Sequence, residues 1–154
     1  MTDPAPGGMV RGVRLGVDVG TVRVGVAISD PHGILATPLV TLGRSVSDGK
    51  DLEELQALVI EHEVVEVVLG LPRTLRGEQG PAAVAARAYG TELGHRIAPV
   101  PVVYVDERMT SVVANRALAD RGINSRKRRQ IVDQAAAVAI LQSRLDGLRP
   151  GGAR

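Results

Sequence analysis

Acidic residues occur at three widely separated points of the chain, each beside an apolar segment. Asp18 lies within a strand-like run, the pair Asp106 and Glu107 follows a short apolar run, and Asp133 lies in a helix-like segment. Hard cations such as Mg²⁺ prefer oxygen ligands, usually one or two carboxylates with phosphates and water. Two such ions about 4 Å apart can activate water and stabilise the leaving oxygen in phosphodiester hydrolysis. The three acidic stations together predict a divalent-metal site.

The surroundings of Asp18 are the most informative feature of the sequence. The stretch from Leu15 to Ser29 alternates as a strand, turns at Gly20, and alternates again. Because strand side chains point to opposite faces with period two, Gly16, Asp18 and Gly20 share one face. We expect the two glycines to leave the carboxylate unshielded, so that a metal ion or phosphate can approach it closely. A lone Asp more often caps a turn, but the middle of an apolar strand fits that role poorly.

The elements that would position these acids follow from the apolar pattern. After the first hairpin, residues 35–42 read as a third strand, and Pro38 within it indicates a sheet edge. Strands that then alternate with helices imply parallel crossovers, and open α/β sheets place ligands at the carboxyl ends of their strands. We predict an α/β domain with a three-strand meander and two parallel strands. The remaining elements are helices over 47–63, 81–97, 111–120 and 125–148, and strands over 64–69 and 102–105.

Composition restricts the class of protein. The 154 residues are 44% hydrophobic and contain no cysteine, which excludes disulfides and thiolate metal sites and predicts one sizeable core. No secretory signal and no apolar stretch of about 20 residues is found, so we expect a cytoplasmic protein without a membrane partner. Segments 1–10 and 149–154 are predicted to be disordered tails around a single domain spanning 11–148. Met9 is an alternative start to Met1.

Basic residues are unevenly distributed. The net charge is +2, and the 19 cations comprise 17 Arg and 2 Lys; a GC-rich genome would explain most of that bias. The run Arg126, Lys127, Arg128 and Arg129 is more informative, because cations oppose the dipole at a helix start. We predict that this run binds the backbone of a nucleic acid. With no Phe or Trp and two Tyr, a base-stacking platform is not expected.

Four motifs in order resemble the YqgF family, which has an RNase H-like (RuvC-like) fold. They are Leu15–Ala27, Val68–Pro72, Asp106–Thr110 and Asp133–Ile140, within a resemblance that covers about residues 13–146. The resemblance implies an RNase H-like mixed five-stranded sheet and a nuclease that uses Mg²⁺ or Mn²⁺. It also implies that Asp18, Glu107 and Asp133 are the metal-binding catalytic acids and that Arg23 and Arg108 contact phosphate, with Asp106 capping or bracing the loop.

The resemblance leaves the substrate open. Members of the family were first proposed as Holliday junction resolvases and later assigned to maturation of the 5′ end of 16S ribosomal RNA. Precursor 16S rRNA is the favoured partner, and four-way DNA is the alternative. A resolvase would require a two-fold dimer, so the chain is expected to be a monomer or a homodimer.

Two other classes of protein, and one structural role, remain as alternatives. An actin-like ATPase would need two such domains. A non-catalytic RNA-binding assembly factor would gain nothing from carboxylates that face phosphates. Asp133 taken alone could instead be a first-turn Asp favoured by the helix dipole.

Overall fold

The computed structural model describes residues 11–72, 76–110 and 126–149, with the backbone alone for residues 109 and 126–130. Strands β1, β2 and β3 come first, and a helix precedes each of the next two strands. The last helix, α3, is the longest of the described elements. The bounds are β1 Arg14–Val19, β2 Arg23–Ser29, β3 Ala36–Gly43, α1 Lys50–Glu61, β4 Glu66–Leu71, α2 Pro81–Ile97, β5 Val102–Asp106, a 3₁₀ turn Glu107–Met109 and α3 Arg126–Leu148.

The five strands form one mixed sheet in the order β3-β2-β1-β4-β5. Strand β2 is antiparallel to β1 and β3, whereas β4 is parallel to β1 and β5 is parallel to β4. The predicted meander followed by two parallel strands is confirmed, and so is the edge position of the strand that contains Pro38. The carboxyl ends of β1, β4 and β5 therefore meet at one edge of the sheet.

Helix boundaries differ modestly from the prediction. Helix α2 spans the predicted residues, but α1 begins at Lys50 rather than at residue 47. Gly49 adopts a left-handed φ of 64°, and the Asp48 carboxylate accepts a hydrogen bond from the Lys50 amide at 3.0 Å. A turn thus occupies the first predicted residues of this helix. The predicted helix over 111–120, the N-cap at Ser125, the predicted tail 1–10 and all but the first residue of the predicted tail 149–154 lie outside the described residues.

The two faces of the sheet are covered by different helices. Leu15, Val17 and Val26 face α1 and α2 and belong to the larger core cluster. The opposite face carries small residues and packs against the apolar side of α3, including the fully buried Ile140 and Leu141. Within the described residues no helix is long and apolar enough to span a membrane.

Three glycines allow α3 to lie close against the sheet. A Cβ added to Gly16 would lie 2.6 Å from the Leu141 Cβ and 2.7 Å from the Ala137 carbonyl oxygen. At Gly25 it would overlap the backbone carbonyl of Asp133, and at Gly70 it would overlap the Ile140 side chain. Since real Cβ atoms do not approach other atoms so closely, a larger residue at Gly16 or Gly25 would require α3 to move away, and one at Gly70 would require the Ile140 and Glu107 side chains to shift. We call Gly16, Gly25 and Gly70 the glycine lane.

A buried ion cluster fixes the other end of α3. Glu66 accepts hydrogen bonds from Arg14 at 3.1 Å and from Arg144 of α3 at 2.8 and 3.0 Å. Burial alone would raise the pKa of the Glu66 carboxyl, but the two guanidiniums outweigh it and hold that pKa below its ordinary value. The cluster therefore ties α3 to the amino ends of β1 and β4.

Glu66→Gln should lower the free energy of unfolding by about 3 kcal/mol at pH 7, because it leaves the buried Arg14 without a carboxylate. A lowered carboxyl pKa stabilises the fold above about pH 4.5 and loses that contribution as the pH falls. The variant should therefore show a weaker loss of stability on acidification than the wild type. Urea unfolding at pH 7 and pH 4 measures both effects. Glu61→Gln, at an exposed carboxylate, is the control and should match the wild type.

Candidate active site

The three predicted acids line one cleft. This cleft, with a volume of about 330 Å³, opens at the carboxyl ends of the parallel strands and contains Asp18, Glu107 and Asp133. They come from β1, from the 3₁₀ turn after β5 and from α3, so the site exists only in the folded chain. Its other walls include the β1–β2 turn and the start of α2, represented by Thr21, Val22, Ala82 and Ala85.

Asp18 is buried rather than open. It lies on the face of β1 that α3 covers, opposite Gly25 of β2, and it is 3% exposed. The expectation that flanking glycines leave this carboxylate unshielded is wrong. Gly16 makes room for the backbone of α3, and Gly20 forms the turn by donating its amide hydrogen bond to the Arg23 carbonyl at 2.9 Å.

The neighbouring acids Asp106 and Glu107 have different roles. Val103 and Val105 of β5 pack on the α3 side of the sheet, and Glu107 continues that alternation into the cleft, 3% exposed and beside Gly70. Asp106 instead caps the 3₁₀ turn, since its carboxylate accepts a hydrogen bond from the Arg108 amide at 3.0 Å. The structure thus brings Glu107, and not Asp106, to the cleft with Asp18.

Asp133 is held by an ion pair with Arg23. The Arg23 Nε donates to the Asp133 Oδ2 at 2.6 Å, and both side chains are about one-quarter exposed. Asp133 is the eighth residue of α3, so the alternative of a first-turn Asp favoured by the helix dipole is wrong. Arg23, predicted as a phosphate contact, lines the cleft but also orients this carboxylate.

Arg108 and the basic run 126–129 are the other cations that the sequence predicts to contact the substrate. Arg108 is exposed and pairs with Asp106 at 2.7 Å, and it does not line the cleft. Its contact with phosphate stays a prediction. The backbone of the run 126–129 forms the first turn of α3, about 6 Å of helical rise before Asp133. The side chains of this run lie outside the described part of the chain.

The sequence analysis missed Arg44. This residue follows β3 and lines the cleft with the three acids. Its Nη1 donates to the Gly20 carbonyl at 2.9 Å, and its guanidinium carbon lies 5.2 Å from the centroid of the Tyr89 ring. No local motif marks this arginine, because its position depends on the pairing of β2 with β3. The available signal was an arginine at the end of an edge strand, next to the hairpin that contains Asp18.

The charge of the cleft suits a cation. Among the described residues that line the cleft are three carboxylates and two guanidiniums, and two of the carboxylates, Asp18 and Glu107, are buried. Among the described residues no three His, Asp or Glu side chains are close enough to form a ready metal cage. The donor set instead fits Mg²⁺ or Mn²⁺ held by one or two carboxylates, with substrate phosphate completing the shell.

Comparison with known proteins defines the class. The family model described as "RuvX: Holliday junction resolvase" matches residues 12–147. A relative from Mycobacteroides abscessus named "Putative pre-16S rRNA nuclease" is 54% identical over 149 residues, covering 97% of this chain and 90% of the relative. A relative of the same name from Streptomyces avermitilis is 55% identical over 146 residues, covering 94% and 92%. The chain belongs to the RuvX family, which is the YqgF family of the sequence analysis.

One solved structure shows a more distant similarity to this chain. Thermus thermophilus RuvC in complex with a Holliday junction substrate matches with a TM-score of 0.47 and 17% identity, covering 89% of this chain and 93% of that one. The predicted fold class, an RNase H-like mixed five-stranded sheet flanked by helices, is confirmed by the strand order and by the family.

Gly25→Ala should separate α3 from the sheet at Asp133, because the new Cβ would overlap the Asp133 carbonyl. We expect a loss of stability of roughly 2 kcal/mol, in the range of overpacked cores, and loss of any activity that needs Asp133 beside Asp18. Thermal unfolding and cleavage assays measure the two effects. Gly43→Ala is the matched control, since nothing lies within 4 Å of its added Cβ. Equal stability of the two variants would contradict the close approach.

Proposed function

We propose that the chain is a metal-dependent endonuclease that hydrolyses phosphodiester bonds in structured RNA, in maturation of the 5′ end of precursor 16S rRNA. The observation that carries the proposal is the convergence of Asp18, Glu107 and Asp133 in one cleft. Relatives more than 50% identical over nearly the whole chain bear the name of a pre-16S rRNA nuclease, which supports RNA as the substrate.

Each acid has a proposed role that follows from its burial and contacts. Asp18 and Glu107 are buried at the floor, where they would hold a divalent ion between protein and substrate phosphate. A bound ion of this kind lowers the pKa of water and stabilises charge on the phosphate oxygens. Asp133 is more exposed and is oriented by Arg23, so it lies where it can bind the ion or accept a proton from the attacking water.

Contacts around the three acids limit where their carboxylates can lie. The glycine lane sets the spacing of Asp133 from β1 and β2, and the cap made by Asp106 fixes where Glu107 enters the cleft. Arg23 neutralises part of the charge on Asp133, which reduces repulsion between that carboxylate and an incoming phosphate. Acids that such contacts hold in place before substrate binds need less reorganisation in the reaction.

Four-way DNA is a second candidate substrate, favoured by the description of the matching family model as a Holliday junction resolvase. Resolution requires two symmetric cuts and therefore a two-fold pair of active sites. Incubation of the protein with Mg²⁺ or Mn²⁺ and either a 16S precursor fragment or a synthetic four-way junction separates the candidates. Cleavage of the precursor at a defined position, with the junction intact, is the expected result.

Asp18→Asn should abolish cleavage, with a loss of at least 100-fold, because the substitution removes an anionic ligand without creating a cavity. Binding of substrate and the unfolding temperature should change little. Asp146→Asn, near the far end of α3, is the matched control and should cleave as the wild type does. Near wild-type cleavage by Asp18→Asn in the presence of divalent metal would show that the site assignment is wrong.

The basic run 126–129 has its own proposed role and test. Cations that neutralise phosphates make affinity fall with salt, with a slope of about −0.9 per contact for a duplex. Replacing Arg126, Lys127, Arg128 and Arg129 with Ala should weaken binding of precursor RNA and flatten that slope. The effect should be similar for RNA of different sequence, because phosphate contacts carry no base information. A salt titration with unchanged slope and affinity would indicate a merely solvated helix start.

A further inference from the structure

Arg44 lies where two clefts meet. On one side is the cleft with the three acids. On the other is a second cleft of about 530 Å³, between the segment from Ser45 to Asp51 and the side of α2 that carries Ala88 and Glu92. Its volume falls in the range of small-molecule sites, roughly 300–1,000 Å³. Arg44 and Ala85 line both clefts, so the two clefts are neighbours on the surface of the protein.

Within the described part of the chain, Arg44 forms no direct ion pair with a carboxylate. Its guanidinium instead contacts the neutral Gly20 carbonyl and the face of the Tyr89 ring. Arg23, the other guanidinium of the first cleft, is paired with Asp133. Arg44 is therefore the better candidate of the two for an external anion, and its half-buried position limits screening by solvent.

A buried network supports the aromatic ring beneath Arg44. The Tyr89 hydroxyl donates to the Asp51 Oδ2 at 2.8 Å, and the Asp51 Oδ1 accepts from the Ser45 amide at 3.1 Å. Burial, together with the hydrogen bond to Asp51, raises the pKa of Tyr89 far above its ordinary value, so the hydroxyl remains a donor. This network fixes the ring and the loop that starts after Arg44, so the guanidinium has a defined place.

The second cleft has the chemistry of a nucleoside site rather than of another phosphate site. It contains the carboxylates of Asp48 and Glu92 as well as the guanidinium of Arg96. Carboxylates repel phosphate, but they accept hydrogen bonds from ribose hydroxyls and base amino groups. Arg96 supplies donors for base carbonyls and ring nitrogens, and Ala88 offers an apolar wall. A nucleoside linked to a phosphate on Arg44 would meet all three kinds of group.

We propose that Arg44 binds the phosphate next to the scissile one and that the second cleft receives the adjoining nucleoside of an unpaired RNA strand. This inference rests on the proposed nuclease function and adds the path that the strand takes from the first cleft to the second. It also predicts that the enzyme prefers an unpaired nucleotide beside the cut, since a base-paired one could not enter a cleft.

The role of Arg44 is tested by binding in an Asp18→Asn background, which keeps the RNA intact. Arg44→Ala should weaken binding of a short single-stranded RNA on the order of 10-fold or more, as expected for a charged hydrogen bond. It should also reduce the salt slope by about 0.7, the value for one contact to a single strand. Arg87→Ala is the matched control, because Arg87 lies 4.9 Å from the Tyr104 ring centroid but lines neither cleft. Fluorescence anisotropy with an unchanged salt slope for Arg44→Ala would overturn the proposal.

A larger side chain placed in the second cleft tests whether that cleft receives a nucleoside. In the wild type, one nucleotide is added to a short RNA at its 5′ end or at its 3′ end, and the addition at one of the two ends should raise kcat/KM for cleavage. Ala88→Trp should abolish that gain, while Ala57→Trp, at an exposed position of α1 outside both clefts, should retain it. An equal gain in both variants would show that the second cleft takes no nucleoside. If the wild type cleaves while Arg44→Ala and Ala88→Trp behave as their controls, this inference alone fails. If the wild type neither binds nor cleaves RNA, the proposed function fails with it.

Discussion

The close approach of α3 to the sheet is the constraint on which the candidate site depends. Gly16, Gly25 and Gly70 lie on neighbouring strands and face α3, so atoms of α3 occupy the space that a Cβ would need at each position. Interiors are packed without spare space, and this contact therefore fixes the height of α3 above the sheet. Asp133 reaches the cleft of Asp18 because its own carbonyl lies over Gly25.

Ion pairs at two points along α3 fix the direction in which the helix crosses the sheet. Near its beginning Asp133 pairs with Arg23 of β2, and farther along Arg144 pairs with Glu66 of β4. The pair with Glu66 is buried and includes Arg14, so it restrains the helix against rotation and sliding. The pair with Arg23 is partly exposed and lies in the cleft itself, where it orients a carboxylate that we assign to the reaction. One set of contacts thus serves stability and the other serves the site.

Much of this architecture could be predicted from the sequence because apolar period and turn residues encode it locally. The meander, the edge strand with Pro38 and the bounds of α2 follow from such patterns. The burial of Asp18 and the function of Gly16 could not be predicted, since both depend on a helix more than 100 residues away in the chain. Arg44 was missed for the same reason, as no local spacing links it to the acids.

The central claim is that the cleft of Asp18, Glu107 and Asp133 is a divalent-metal site for phosphodiester cleavage. The most direct measurement is a crystal structure of the protein with Mn²⁺ and a short RNA, with anomalous scattering used to locate the metal. We expect an anomalous peak between the carboxylates of Asp18 and Glu107, with an RNA phosphate oxygen completing the coordination. A metal bound elsewhere, or RNA bound away from a metal-free cleft, would contradict it.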